Sequence, residues 1–87
     1  MDINRIRYFS ALAELQHVRR AAEVLGINPA TLSRAIKLLE HETGLKLLMP
    51  AGRGIELTNE GRAFYRQSQP LLKEFNLLKG SLAGSLK

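Results

Sequence analysis

The chain has 87 residues, enough for one small domain with an appended helix, and carries 13 Lys and Arg against 8 Asp and Glu, a net charge of +5. Its 45% apolar content excludes disorder throughout, and the lack of cysteine excludes disulfides and thiolate metal sites. No apolar run reaches the length of a membrane span or a signal-peptide core, so no membrane partner and a cytoplasmic location are expected, and the basic balance suits a polyanion as well as plain solubility.

Asp2 can cap a first helix running to about Leu15, with Ile3, Ile6, Phe9, Leu12 and Ala13 as its buried stripe and Arg5, Arg7 and Glu14 off it. Gln16 and His17 break the pattern. His17 is a poorer N-cap than Ser or Asp, so the start of the second helix is expected to be weakly held. In that helix Val18, Ala21, Ala22 and Leu25 fall at i, i+3, i+4, i+7, and Gly26 supplies the left-handed backbone that ends it. Asn28 then caps a third helix over 29–43, with Pro29 in its first position and Gly44 as its terminator. Leu32, Ala35, Ile36 and Leu39 form its apolar stripe. Ala30, Arg34, Lys37 and His41 point the other way with Ser33 on the flank, a basic face without carboxylates. Two short helices about a glycine turn occur in many all-α domains. The basic face on the second of them is what points to a DNA-binding helix-turn-helix, whose second helix enters the major groove.

Lys46 to Met49 make a short apolar run, Pro50-Ala51-Gly52-Arg53-Gly54 reads as a loop, and Ile55-Glu56-Leu57 alternates as a half-buried strand does. Two strands around the Gly-Arg-Gly loop form a β-hairpin "wing", with Arg53 at its tip able to reach a phosphate or the minor groove. Thr58 caps a long last helix, with Glu60 in its first turn. Gly61, Phe64, Tyr65 and Ser68 begin its buried face, and Leu71, Leu72, Phe75, Leu78 and Leu82 extend it. Pro70 inside this pattern is expected to kink the helix, and Gly80 to Lys87 are expected to be helix-poor and frayed. The apolar stripe beyond Leu71 finds no partner in so small a domain, which points to a second copy of the chain. The fold class is therefore mainly α: a winged helix-turn-helix over 1–60, then a long linker or dimerisation helix and tail over 58–87.

With these residues placed, the sequence resembles the N-terminal DNA-binding domain of the LysR-type transcriptional regulators. The match runs through Arg7-Tyr8-Phe9, Arg20-Ala21-Ala22 with Leu25, Leu32-Ser33-Arg34-Ala35-Ile36, Leu39-Glu40, Gly44-Leu45 with Leu47, Gly52-Arg53-Gly54, and Leu57-Thr58 with Gly61. Each motif is weak alone; their joint spacing is specific. The resemblance implies a linker helix that pairs antiparallel in a dimer and a following sensor domain, absent from this chain, that would take a small-molecule inducer. Three departures stand out. His17 replaces a capping serine, Pro29 replaces a glutamine that reads base edges, and Leu48-Met49-Pro50 replaces a Phe-X-Arg run that supplies a phosphate contact.

The residues expected to touch DNA are Arg34, mid-face and suited to a phosphate or a guanine edge; Thr31 and Ser33 as hydroxyl donors; Lys37 on phosphate; Arg19 and Arg20 at the start of the second helix; Pro29 and Ala30 at the tip of the third; and Arg53 on the wing. Pro29 offers only apolar contact, for instance with a thymine methyl, so weak discrimination is expected at that base pair. The residues expected to pair two chains are Phe64, Leu71, Leu72, Phe75, Leu78 and Leu82. His17 and His41 are far apart in sequence and no cofactor or metal is expected. No phosphate loop, nucleophile elbow or metal-ligand motif supports an enzyme. The remaining alternative is a winged-helix interaction module with weakened DNA binding.

Overall fold

The computed structural model describes residues 1–85, with side chains through Ser81. Six elements follow in order: α1 (Ile3–Leu15), α2 (Val18–Leu25), α3 (Pro29–Thr43), β1 (Leu48–Ala51), β2 (Gly54–Leu57) and α4 (Asn59–Ser85). Each helix of the first half begins and ends where local chemistry can satisfy its backbone. Asp2 accepts from Asn4 N at 2.8 Å, and Asn28 accepts from Ala30 N at 2.8 Å. Gly26 and Gly44 end α2 and α3 at φ 71°, in the left-handed region that glycine enters without a Cβ penalty.

The start of α2 departs from expectation. His17 takes the N-cap position, and its Nδ1 accepts from Arg20 N at 3.2 Å. The imidazole nitrogen reaches the same N3 amide that a serine hydroxyl would satisfy, so this helix end is closed rather than loose.

The hairpin departs as well. β1 includes Pro50 and Ala51, and the strands pair antiparallel in the register Leu48↔Leu57, Met49↔Glu56, Pro50↔Ile55 and Ala51↔Gly54. The connection is therefore two residues, Gly52 and Arg53, rather than five. Gly52 has φ 57° and Arg53 does not share it, the pattern of a type II′ turn with glycine first. Ala51 and Gly54 close this turn as a hydrogen-bonded pair, so Pro50 and Ile55 form the next, non-bonded pair. Proline there loses no ladder bond, which is why the strand tolerates it.

α4 runs through Pro70 and Gly80 to Ser85 as one element, so the expected helix-poor stretch is helical up to that point; Leu86 and Lys87 lie outside the described residues. Proline has no N–H to give Arg66, and the rest of the helix ladder carries the element past it. At 27 residues α4 is about 40 Å long.

The core lies where α1 meets the other three helices. Phe9, Leu12, Leu32, Leu39 and Leu47 are its largest fully buried side chains, joined by Ile6, Ala21, Ala22, Ile36 and Leu57. α1 is clasped to α4 by the edge-to-face pair Phe9–Phe64, with centroids 5.4 Å apart. Polar bonds complete the clasp: Tyr65 Oη donates to Glu14 Oε1 at 3.1 Å, and Gln69 Nε2 donates to the buried Ser10 Oγ at 3.0 Å. At the other end of α1, Arg5 pairs with Glu42 at 3.0 Å and the N-terminal ammonium with the same carboxylate at 3.5 Å, which ties α1 to the last turn of α3.

Candidate nucleic-acid interface

α3 buries Leu32, Ala35, Ile36 and Leu39 and thereby turns Pro29, Ala30, Ser33, Arg34, Lys37 and His41 outward, all exposed. The order of apolar residues thus dictates which side chains face solvent. Thr31 is half-buried at the edge of this face, and Arg34 Nη2 donates to its hydroxyl at 3.5 Å, which leans the guanidinium toward the helix N-terminus. Among the described residues the ion pairs are those of Glu42, so the charges of Arg34, Lys37, Arg19, Arg20 and Arg53 are unneutralised by carboxylates. A cationic surface without internal partners keeps its full attraction for an external polyanion.

A second group of cations converges where the sequence shows no proximity. An open cleft between the start of α2 and the wing is lined by His17, Val18, Arg19, Arg53, Gly54 and Ile55. It brings Arg19 and Arg53, 34 positions apart by number, to one concavity, while Arg20, next to Arg19 in the same turn, is exposed as well. Arg53 belongs to the wing cleft, and Arg34 and Lys37 to the outward face of α3.

The side chain that fixes the wing against α3 was not singled out by periodicity. Glu40 Oε2 accepts from Leu47 N at 2.7 Å and Leu48 N at 3.4 Å, so one carboxylate on α3 caps the entry to β1. Its position on the flank of the apolar stripe carries no local signal, because the amides it serves lie seven and eight residues further on. Thr43 Oγ1 closes the end of α3 by donating to Leu39 O at 2.9 Å and accepting from Leu45 N at 3.3 Å.

On α4 the residues expected to pair two chains divide into groups. Phe64 turns onto Phe9, and Leu72 packs against the core cluster. Leu71 is 50% exposed and Leu78 57% exposed, and Leu77, which the stripe did not include, matches Leu78. Phe75 is half-buried with Lys79 Nζ 5.8 Å from its ring centroid. The side chain of Leu82 lies outside those described. An apolar groove lined by Met1, Ile3, Ile6, Phe64, Gln67, Ser68 and Leu71 continues this surface between α1 and α4. No helix among the described residues is long and apolar enough to cross a membrane.

Residues 3–62 match the family described as bacterial regulatory helix-turn-helix protein, lysR family. The chain is 44% identical over 72 residues to the HTH-type transcriptional regulator BudR of Klebsiella aerogenes, covering 83% of this chain and 50% of that protein. It is 38% identical over 87 residues to the uncharacterized HTH-type transcriptional regulator YybE of Bacillus subtilis (strain 168), covering all of this chain and 30% of that protein. The chain thus spans half or less of the length of these curated relatives. Among solved structures, the DNA-binding domain of BenM in complex with benA site 1 DNA matches with a TM-score of 0.88 at 34% identity, each chain covering 100% of the other. The complex of the CbnR DNA-binding domain with DNA matches with a TM-score of 0.88 at 29% identity, again with 100% coverage of both.

Proposed function

The chain belongs to the LysR family of bacterial regulatory helix-turn-helix proteins, and from that membership we propose that it is the sequence-specific DNA-binding domain of a transcriptional regulator acting in the cytoplasm. α3 enters the major groove with Pro29, Ala30, Ser33, Arg34 and Lys37 toward the DNA. Thr31 lends its hydroxyl to Arg34 or to a phosphate. Arg19, Arg20 and Arg53 hold the backbone on either side of the wing cleft. The carrying observation is the outward face of α3, cationic and without a carboxylate partner among the described residues. The full-length likeness to two domains solved on DNA supports the reading. The exposed Leu71, Leu77 and Leu78 support a second element of it, a homodimer built on α4, which would set two recognition helices on two half-sites.

The test is a gel shift of the 87-residue chain on random-sequence duplex at two salt concentrations. A binder that neutralises several phosphates loses roughly 10³-fold or more in affinity between 50 and 200 mM salt. Absence of salt-dependent binding would leave the interaction-module reading in its place.

A further inference from the structure

We propose that the Ser10–Gln69 and Glu14–Tyr65 hydrogen bonds between α1 and α4 set which half-site spacing a dimer of this chain accepts. The inference rests on the proposed DNA-binding dimer built on α4. In that dimer α4 carries the pairing surface and α3 the reading surface. The angle at which α4 leaves the domain therefore fixes the separation of the two α3 helices.

Two anchor points define that angle. The first is the start of α4, where Gly61 packs on the carbonyl of Leu47 and Thr58 N donates to Leu47 O at 3.0 Å. Alone, it is a pivot. The second is the clasp with α1, where Ser10 and Glu14, four residues apart, meet Gln69 and Tyr65 in the opposite order. The two bonds are thus rungs about 6 Å apart along the helices, and together they oppose both sliding and swinging of α4. The apolar contacts here, Phe9 on Phe64 and Leu72 on the core, hold the helices together but are far less directional than hydrogen bonds. Ser10 is buried, so its hydroxyl loses a partner that water does not replace if the rung to Gln69 opens. The Gln69 amide is also held in advance, because its Nε2 donates to Tyr65 O at 3.3 Å on its own helix. Gln69 lies about 12 Å along α4 from Gly61 and the exposed Leu78 about 25 Å, so a swing at the clasp is about doubled at the pairing surface.

The experiment selects a paired site with the 87-residue chain from random duplexes, then inserts or removes one base pair between the half-sites. One base pair changes their separation by about 3.4 Å and their relative rotation by about 35°. For the unsubstituted chain either change should weaken binding roughly tenfold, near the low end of what distorting a duplex to fit costs. Tyr65→Phe with Gln69→Leu opens both rungs and alters no side chain placed against DNA. It should reduce the loss to about threefold or less, since the helix then swings where the duplex would have had to deform. Affinity for a duplex carrying one half-site should stay unchanged. Glu14→Gln keeps an acceptor for Tyr65 and should keep the original preference. If the double variant loses its helical circular dichroism, Tyr65→Phe alone, which removes one hydroxyl, should show a smaller loosening. An undiminished spacing penalty in the folded variants would overturn the inference. Equal weakening at every spacing would overturn it as well, by making the bonds stabilising only. A dimer of the unsubstituted chain that bound all three spacings equally would also overturn it and leave the dimer standing. A monomer in sedimentation would overturn the dimer and this inference together.

Discussion

The backbone carbonyl of Leu47 occupies the space a side chain on Gly61 would need: a Cβ there would lie 3.0 Å from the carbonyl carbon and closer still to its oxygen. The contact belongs to a set of bonds that docks the start of α4. Thr58 N donates to Leu47 O at 3.0 Å, Thr58 Oγ1 donates to Lys46 O at 2.5 Å, and Gly61 N donates to Thr58 Oγ1 at 2.9 Å. Because Glu40 holds the amides of Leu47 and Leu48, one short strip of backbone sets both the wing and the long helix relative to α3. Gly61→Ala must push this strip apart and should lower stability by about 1–3 kcal/mol, the usual range for an overpacked core site. Urea unfolding checks it, with little change expected in the slope.

His17 is a working cap, so its removal should be felt. His17→Ala should cost about 1 kcal/mol, whereas His17→Ser, which restores a hydroxyl acceptor, should cost little or nothing. Thermal unfolding of the three proteins at pH 7.5 separates the cap from any general effect of removing a ring.

Arg34 carries the largest unpaired donor set on the outward face of α3. Arg34→Ala should weaken binding to a selected site by about 1–3 kcal/mol and reduce the dependence on salt. Unchanged affinity together with an unchanged salt slope would remove α3 from the groove.

Leu71 and Leu78 are exposed on a helix whose other face is already used by the core, and water contact there is costly for a stable monomer. Leu71→Lys with Leu78→Lys should convert a dimer into a folded monomer with helical circular dichroism retained. Sedimentation of the unsubstituted chain at tens of micromolar, a range suited to moderate affinities, should show the dimer. A monomer there would remove the pairing.

Tyr65 has its phenol held above the ordinary value of 10.0, first by desolvation and then by the hydrogen bond to Glu14 and the charge of that carboxylate. The folded state therefore favours the neutral phenol more than the unfolded state does. Its contribution is full below the unfolded pKa and is lost as pH rises through the higher folded value. Stability should fall as pH climbs above about 10, and Tyr65→Phe should make that fall shallower. Chemical denaturation at pH 8, 10 and 11 reads the difference.

The extents of α1, α2 and α3 were legible in the sequence because helix signals are local. The apolar repeat of three and four residues, the caps at Asp2 and Asn28, and the glycines at 26 and 44 all act within a turn or two of the bonds they govern. The outward basic face followed at once, since burying one stripe of a helix exposes its opposite. Tertiary structure decided the rest. Pro50 lies in a strand because the register with Ile55 gives it a site needing no donor, which depends on the partner strand. Leu72 is covered and Leu77 is not because α1 and the core lie along one side of α4, and a helix carries no mark of which side that is. Glu40 caps β1, and Arg19 meets Arg53, only after the chain has turned back on itself. Periodicity determines that a face exists; only packing against other elements determines what that face meets.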